Sequence, residues 1–146
     1  MSGPAPAPVR AALLDTHLVL WAALGSPRLP PAAARALADP GFRPCYSVAS
    51  LWEVVIKSAL GRADFDVDAA ALRRGLRAGG WEEIEMSAPH VLGIAALPAC
   101  HADPFDRLLL SQARAEGLPL WTQDAAVLAY GAPAAEPGPM ADPLPG

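Results

Sequence analysis

Short apolar runs alternate along this chain with longer stretches in which apolar residues recur every three or four positions. Val9 to Leu14 reads as a buried strand, followed by helices over His17 to Leu24 and Pro31 to Ala38. Pro44 to Ser47 makes a second strand and leads into a helix from Val48 to about Leu60, which Gly61 stops. Val67 to Ala78 is helical in pattern, Gly79 and Gly80 break it, and Glu83 to Met86 forms a third strand before a helix over Ala88 to Leu97. Pro104 to Glu116 is a long helix ended by Gly117, Leu118 to Thr122 a fourth strand, and Ala125 to Tyr130 a last short helix. There is no internal repeat. The alternation predicts an α/β fold: a central, mainly parallel sheet with helices on both faces, in which ligands bind beyond the carboxyl ends of the strands.

Composition narrows the class. At 146 residues the chain has the length of one domain. Residues 1–8 and 133–146 are rich in proline and poor in apolar content, and read as disordered tails around a domain over 9–132. The apolar runs are far shorter than the roughly 20 residues that span a bilayer, and the N-terminal segment lacks a basic leader, so a cytoplasmic location is expected. Cys45 and Cys100, the two cysteines, form no CxxC pair and read as buried free thiols. The net charge of −4 disfavours a general basic surface for nucleic acid. A local basic rim remains compatible with it, because Arg73, Arg74 and Arg77 cluster together.

The chemistry lies in four carboxylates. Asp15 and Asp124 directly follow buried strands, Glu53 lies near the start of the helix after the second strand, and Asp106 in the first turn of the helix leading to the fourth. All four can therefore meet at one edge of the sheet. Acids also favour helix N-termini as caps, and taken singly each is as well explained that way; Ser50 to Glu53 has the form of a capping box, and Asp103 stands as N-cap before Pro104. Capping does not require acids at all these positions of one edge. Packed carboxylates repel unless a cation sits among them, so convergence points to a divalent metal.

Four segments carry a resemblance to a known family: Leu14-Asp15-Thr16-His17, Ser47 to Lys57 (SVASLWEVVIK), His101 to Ala113 (HADPFDRLLLSQA) and Leu120 to Asp124 (LWTQD). In that order and spacing the chain resembles the PIN-domain ribonucleases, in particular the VapC-type toxins of type II toxin–antitoxin pairs, from about Val9 to Tyr130. The resemblance implies a three-layer α/β/α PIN-like fold with a four- to five-stranded sheet. It implies a metal-dependent endoribonuclease in which Asp15, Glu53, Asp106 and Asp124 hold Mg²⁺ or Mn²⁺, with no covalent intermediate. A cognate antitoxin and a homodimer are the partners it implies, the antitoxin lying across the helices that carry Leu18, Trp21, Leu24, Leu29 and Leu37; without the resemblance, these five are ordinary core positions. The family usually ends with a fifth strand, and Ala132 to Ala135 is a poor one.

Other residues invite a supporting role beside a plainer one. Thr16 and Thr122 flank two of the acids, where their hydroxyls either orient a ligand carboxylate or cap a turn. Lys57, one helical turn after Glu53, either approaches a scissile phosphate or makes a surface pair. Arg107 poses the same choice, and Asp103 is a possible further ligand whose place before Pro104 favours capping. His17 and His101 read as structural. No hydrolytic triad or phosphate-cradling loop is present. A receiver domain would need an acidic pair where Asp15 stands alone, and a dehalogenase-type phosphatase an Asp at position 17. The rival from another class is a catalytically silent PIN-like module that binds RNA or protein.

Overall fold

A computed structural model describes residues 8–98 and 103–139. Of the proposed tails at 1–8 and 133–146, residues 1–7 and 140–146 lie outside the described residues, as do Cys100 and His101. The chain runs β1 (Ala11–Leu14), α1 (Thr16–Ala23), α2 (Pro31–Ala38), β2 (Arg43–Ser47), α3 (Val48–Ala59), α4 (Ala69–Ala78), β3 (Glu82–Ile84), α5 (Ala88–Gly93), α6 (Pro104–Glu116), β4 (Leu120–Trp121), α7 (Ala125–Leu128) and β5 (Ala134–Ala135). Short 3-10 turns cover Ala63–Phe65 and Ile94–Ala96.

The five strands form one sheet in the order β3-β2-β1-β4-β5, and every pairing is parallel. Inner parallel strands are buried on both faces, which is why β1 and β4 are apolar without a polar alternate. Successive residues instead feed two cores. Ala12, Leu14, Tyr46 and Trp121 pack with α1, α2 and α4 on one face, and Leu13, Cys45 and Leu120 with α6 and Ile84 on the other. No helix among the described residues is long and apolar enough to cross a membrane.

Several boundaries differ from the sequence expectation for local reasons. The helix expected from Val67 begins at Ala69, because the Asp68 carboxylate accepts from the Ala70 and Ala71 amides and fixes the N-cap there. The third strand is Glu82–Ile84, since β2 ends at Ser47, which pairs with Ile84 and leaves nothing beyond for a strand to join. The helix expected over Ala88 to Leu97 is α-helical only to Gly93. The Ser47 hydroxyl, not Ser50, caps α3 by accepting from the Ala49 amide at 2.9 Å, so Ser50 to Glu53 is not a capping box.

The largest difference is at the end of the domain. Ala134 and Ala135 do form a fifth strand, beyond the boundary expected at 132, with the Leu120 amide bonded to the Pro133 carbonyl at 2.8 Å and the Thr122 amide to that of Ala135 at 3.0 Å. An edge strand needs only one bonded side, so a neighbouring proline is tolerated there. The segment then returns to the start of the sheet, where the Val9 amide donates to the Pro139 carbonyl at 3.0 Å.

Candidate active site

Strand order reverses between β1 and β4: the chain builds outward from β1 through β2 to β3, then crosses back to lay β4 and β5 on the other side. Such a switch point opens a crevice at the carboxyl ends of the two strands. Asp15 follows β1 and caps α1, its Oδ1 accepting from the Leu18 amide at 2.9 Å. Its Oδ2 accepts from the Thr122 hydroxyl at 2.5 Å, across the switch point. The same hydroxyl oxygen accepts from the Asp124 amide at 3.1 Å, and Asp124 caps α7 through the Ala126 amide. Thr122, fully buried, thus fixes one acid and the backbone of the other.

Glu53 enters from α3 and is only 3% exposed. Its Oε1 accepts from the Thr16 hydroxyl at 2.6 Å, and its Oε2 from the Lys57 ammonium at 2.5 Å. Ser50 Oγ lies 2.9 Å from Thr16 Oγ1, so a face of α3 made by residues 50, 53 and 57 meets the start of α1. Burial raises the pKa of Asp15, and the charge of Glu53 pushes it further up, against the opposing bonds from Thr122 and Leu18. Burial is the largest of these influences and the charge of Glu53 the smallest.

Asp106 lies half-buried in the first turn of α6, its amide capped by Asp103 Oδ1 at 3.2 Å. Asp103 is the N-cap of that helix, and its Oδ2 stands 3.8 Å from Lys57 Nζ. Lys57 thereby links Glu53 on α3 to the end of α6 that carries Asp106, with its ammonium over the rings of Phe65 (4.9 Å) and Phe105 (5.7 Å). The structure links Asp15 to the backbone of Asp124 through Thr122 and Glu53 to the start of α1 through Thr16, while Asp106 is placed only by its own helix turn, next to Asp103, whose carboxylate faces Lys57. As the side chains are oriented, no three His, Cys, Asp or Glu residues among the described ones are grouped to hold an ion. The chemistry of the donor set fits one nonetheless: it is oxygen-only, as hard Mg²⁺ or Mn²⁺ requires, and two of its carboxylates, Asp15 and Glu53, are buried.

Arg107 and His17 have structural occupations. Arg107 donates to the carbonyls of Pro98 (2.7 Å) and Ile94 (3.3 Å) and to the Tyr130 hydroxyl (3.1 Å), clamping α6 to the 3-10 turn before it and to the chain after α7. His17 packs its ring against Trp21 and Phe65, with Nε2 3.7 Å from Asp64. A cavity of about 370 Å³ opens beside the acids, lined by Asp15, Asp124, His17, Trp21, Arg28 and Gln123 among others. A larger hollow of about 690 Å³ lies along the β3 edge and touches none of the four acids, so the acids and not the volume locate the site. Sequence reasoning passed over Arg28, which stands outside every motif and is joined to the site only by the folding of its loop, and Gln123, which lies in the Leu120 to Asp124 segment but was given no role.

The PIN domain family model matches residues 12–132. The chain belongs to the PIN domain family. At the family level this makes it a hydrolase acting on nucleic acids. Solved structures share the PIN fold with it at low identity. A toxin-antitoxin complex from Klebsiella pneumoniae is 20% identical, with a TM-score of 0.60 over 88% of this chain and 99% of that one. VapBC2 from Rickettsia felis, bound to a DNA fragment from their promoter, is 16% identical, with a TM-score of 0.60 over 86% and 96%. PAE2754 from Pyrobaculum aerophilum is 21% identical, with a TM-score of 0.53 over 88% and 83%. No curated protein matches the sequence. The expected PIN-like α/β/α architecture holds, with five strands.

Proposed function

We propose that this PIN domain is a metal-dependent endoribonuclease acting in the cytoplasm as the toxin of a toxin–antitoxin pair. The observation that carries the proposal is the pair of buried carboxylates, Asp15 and Glu53, each fixed by a threonine hydroxyl at the switch point of the sheet. Desolvating two acids together is costly unless a cation offsets them. Asp15, Glu53, Asp106 and Asp124 would hold Mg²⁺ or Mn²⁺. The cation, when bound, supplies an attacking water of lowered pKa and neutralises charge on the phosphoryl oxygens.

The chain's own residues set the geometry. Thr16 and Thr122 each occupy one carboxylate oxygen and leave the remaining lone pairs for a ligand. Lys57 shares Glu53 with that site and offsets part of its charge, while Asp103 orders the turn on which Asp106 rides. Water as nucleophile agrees with the lack of a hydrolytic triad in the sequence.

An antitoxin partner is supported by the nature of the complexes that share the fold. Of the apolar residues expected to face it, Leu18 is in the core, Trp21, Leu29 and Leu37 are half-buried, and Leu24 is exposed. A homodimer is supported by α3, where Trp52, Val55 and Ile56, with Leu60 just beyond, stay exposed at helical spacing.

The test is cleavage of a mixed structured RNA pool by the wild type and by Asp15→Asn, each with Mn²⁺ or chelator, with fragment ends read by sequencing. Metal-dependent cleavage that Asp15→Asn abolishes is the expected result. An intact pool after incubation with folded, Mn²⁺-binding wild type would overturn the nuclease and favour a binding module.

A further inference from the structure

Lysine is rarely taken out of water unless its charge is paired, and an i,i+4 pair with a glutamate ordinarily lies in solvent and contributes little. The pair on α3 is different: the Lys57 side chain is only 16% exposed and that of Glu53 only 4%. Phe65 and Phe105, both buried, set their ring centres 4.9 and 5.7 Å from the ammonium and keep water from it. Acids from two elements face it on its other sides. Glu53 gives Oε1 to the Thr16 hydroxyl and Oε2 to Lys57 at 2.5 Å. Asp103 gives Oδ1 to the Phe105 and Asp106 amides and turns Oδ2 to Lys57 at 3.8 Å. From each acid, then, the ammonium takes the oxygen that hydroxyl and backbone leave over. Carboxylate oxygens from separate elements aimed at one point are what a hard cation binds, and here the chain supplies the cation itself.

We infer that Lys57 is a built-in cation standing where a second divalent ion would otherwise bind, so that the acidic site takes one metal ion per chain. The inference rests on the metal-dependent function proposed above and adds to it the number of ions. A second ion needs acidic oxygens beyond those that hold the first. Two of the oxygens nearest to hand, Glu53 Oε2 and Asp103 Oδ2, are committed to Lys57. The ammonium sits one helical turn from Glu53 and competes for it as a tethered group, at an effective concentration on the order of mM or more, whatever the supply of free metal. It does so without duplicating a metal's chemistry, since an ammonium only donates protons in hydrogen bonds and has no coordination position for an attacking water. Lys57 also fixes Glu53 and Asp103, and with Asp103 the turn that carries Asp106, before any ion arrives.

The experiment counts Mn²⁺ bound per chain, by titration calorimetry and by loss of the electron-spin-resonance signal of the free ion. It uses wild type, Lys57→Ala, Lys57→Gln and Lys57→Arg, each with melting curves in chelator and in Mn²⁺. Wild type is expected to bind one ion. Lys57→Ala, which removes the charge and opens room, should bind two. It should also melt below wild type in chelator, where Glu53 is left buried without its partner, and gain more from Mn²⁺ than wild type does. Lys57→Gln, neutral and of similar length, carries the same expectation and serves should alanine fail to fold. Lys57→Arg, which keeps the charge, should stay at one ion. Adding Asp103→Asn to Lys57→Ala should return the count to one, because asparagine keeps the N-cap and removes an acid from the second position. Two ions on the wild type would overturn the inference. So would a folded neutral variant that still binds one, which would leave Lys57 a tie between α3 and α6 and nothing more. A folded wild type that binds no Mn²⁺ would overturn the inference together with the metal site proposed above, which separates the two failures.

Discussion

Asp15 is more stable protonated than an exposed aspartate, because burial and the nearby Glu53 charge both penalise its anion. The folded chain therefore holds this proton more tightly than the unfolded chain does. As pH rises above the ordinary value of 3.8 the native state is increasingly penalised, and at neutral pH the ionised carboxyl works against folding. Asp15→Asn keeps an oxygen for the Leu18 amide and removes the charge. In chelator at pH 7 its melting temperature should exceed that of the wild type by on the order of 2–4 °C, and the gap should close as pH falls toward 4. With saturating Mn²⁺ the order should reverse, since only the wild type gains the full stabilisation of a bound ligand. A scanning-calorimetry grid of pH against metal checks this, and a variant that melts below the wild type in chelator would contradict it. The same residue should thus be a liability to the fold and a requirement of the site.

At the scale of elements, the site depends on how helices begin. Asp15, Asp103 and Asp124 all cap helices, and Asp103 holds the turn bearing Asp106 through two amides. Asp103→Ala should cost about 1 kcal/mol of stability in denaturant titration, as loss of an N-cap does, and lower Mn²⁺ affinity by letting that turn fray. Unchanged affinity would separate the cap from the site. The sequence displayed these features unevenly. Asp15 and Asp124 stood out as candidates because each follows an apolar strand, and Glu53 because it lies near the start of the helix after the second strand. Arg107 looked like a site residue by adjacency to Asp106, yet consecutive helix residues point in different directions, and its guanidinium went to backbone carbonyls. Arg28 was invisible, since a loop residue's place depends on tertiary packing. The fifth strand was illegible because two alanines beside a proline have no strand propensity, and pairing with β4 alone makes them one.

At the scale of the molecule, α3 leaves an apolar surface exposed among the described residues. Val55 and Leu60 are 53% and 69% exposed, beside Trp52 and Ile56, whereas the opposite side of α3 packs Ala49 and Val54 into the cores. Val55→Glu should convert a dimer to a monomer in light scattering while leaving the melting curve of the monomer within about 0.5 kcal/mol, as surface substitutions do. A wild type that is already monomeric at high concentration would remove the homodimer from the proposal.

The contact between Thr122 and Asp15 spans 107 residues of sequence. At about 5–20 residues per second, a ribosome takes roughly 5–20 s to pass from one to the other. Through that interval the crevice has only one wall, because β4 is not yet made. Placing the reversal of strand order so late delays assembly of the acids until most of the domain has been translated, so that under the proposed function a growing chain would stay harmless to the RNA around its own synthesis.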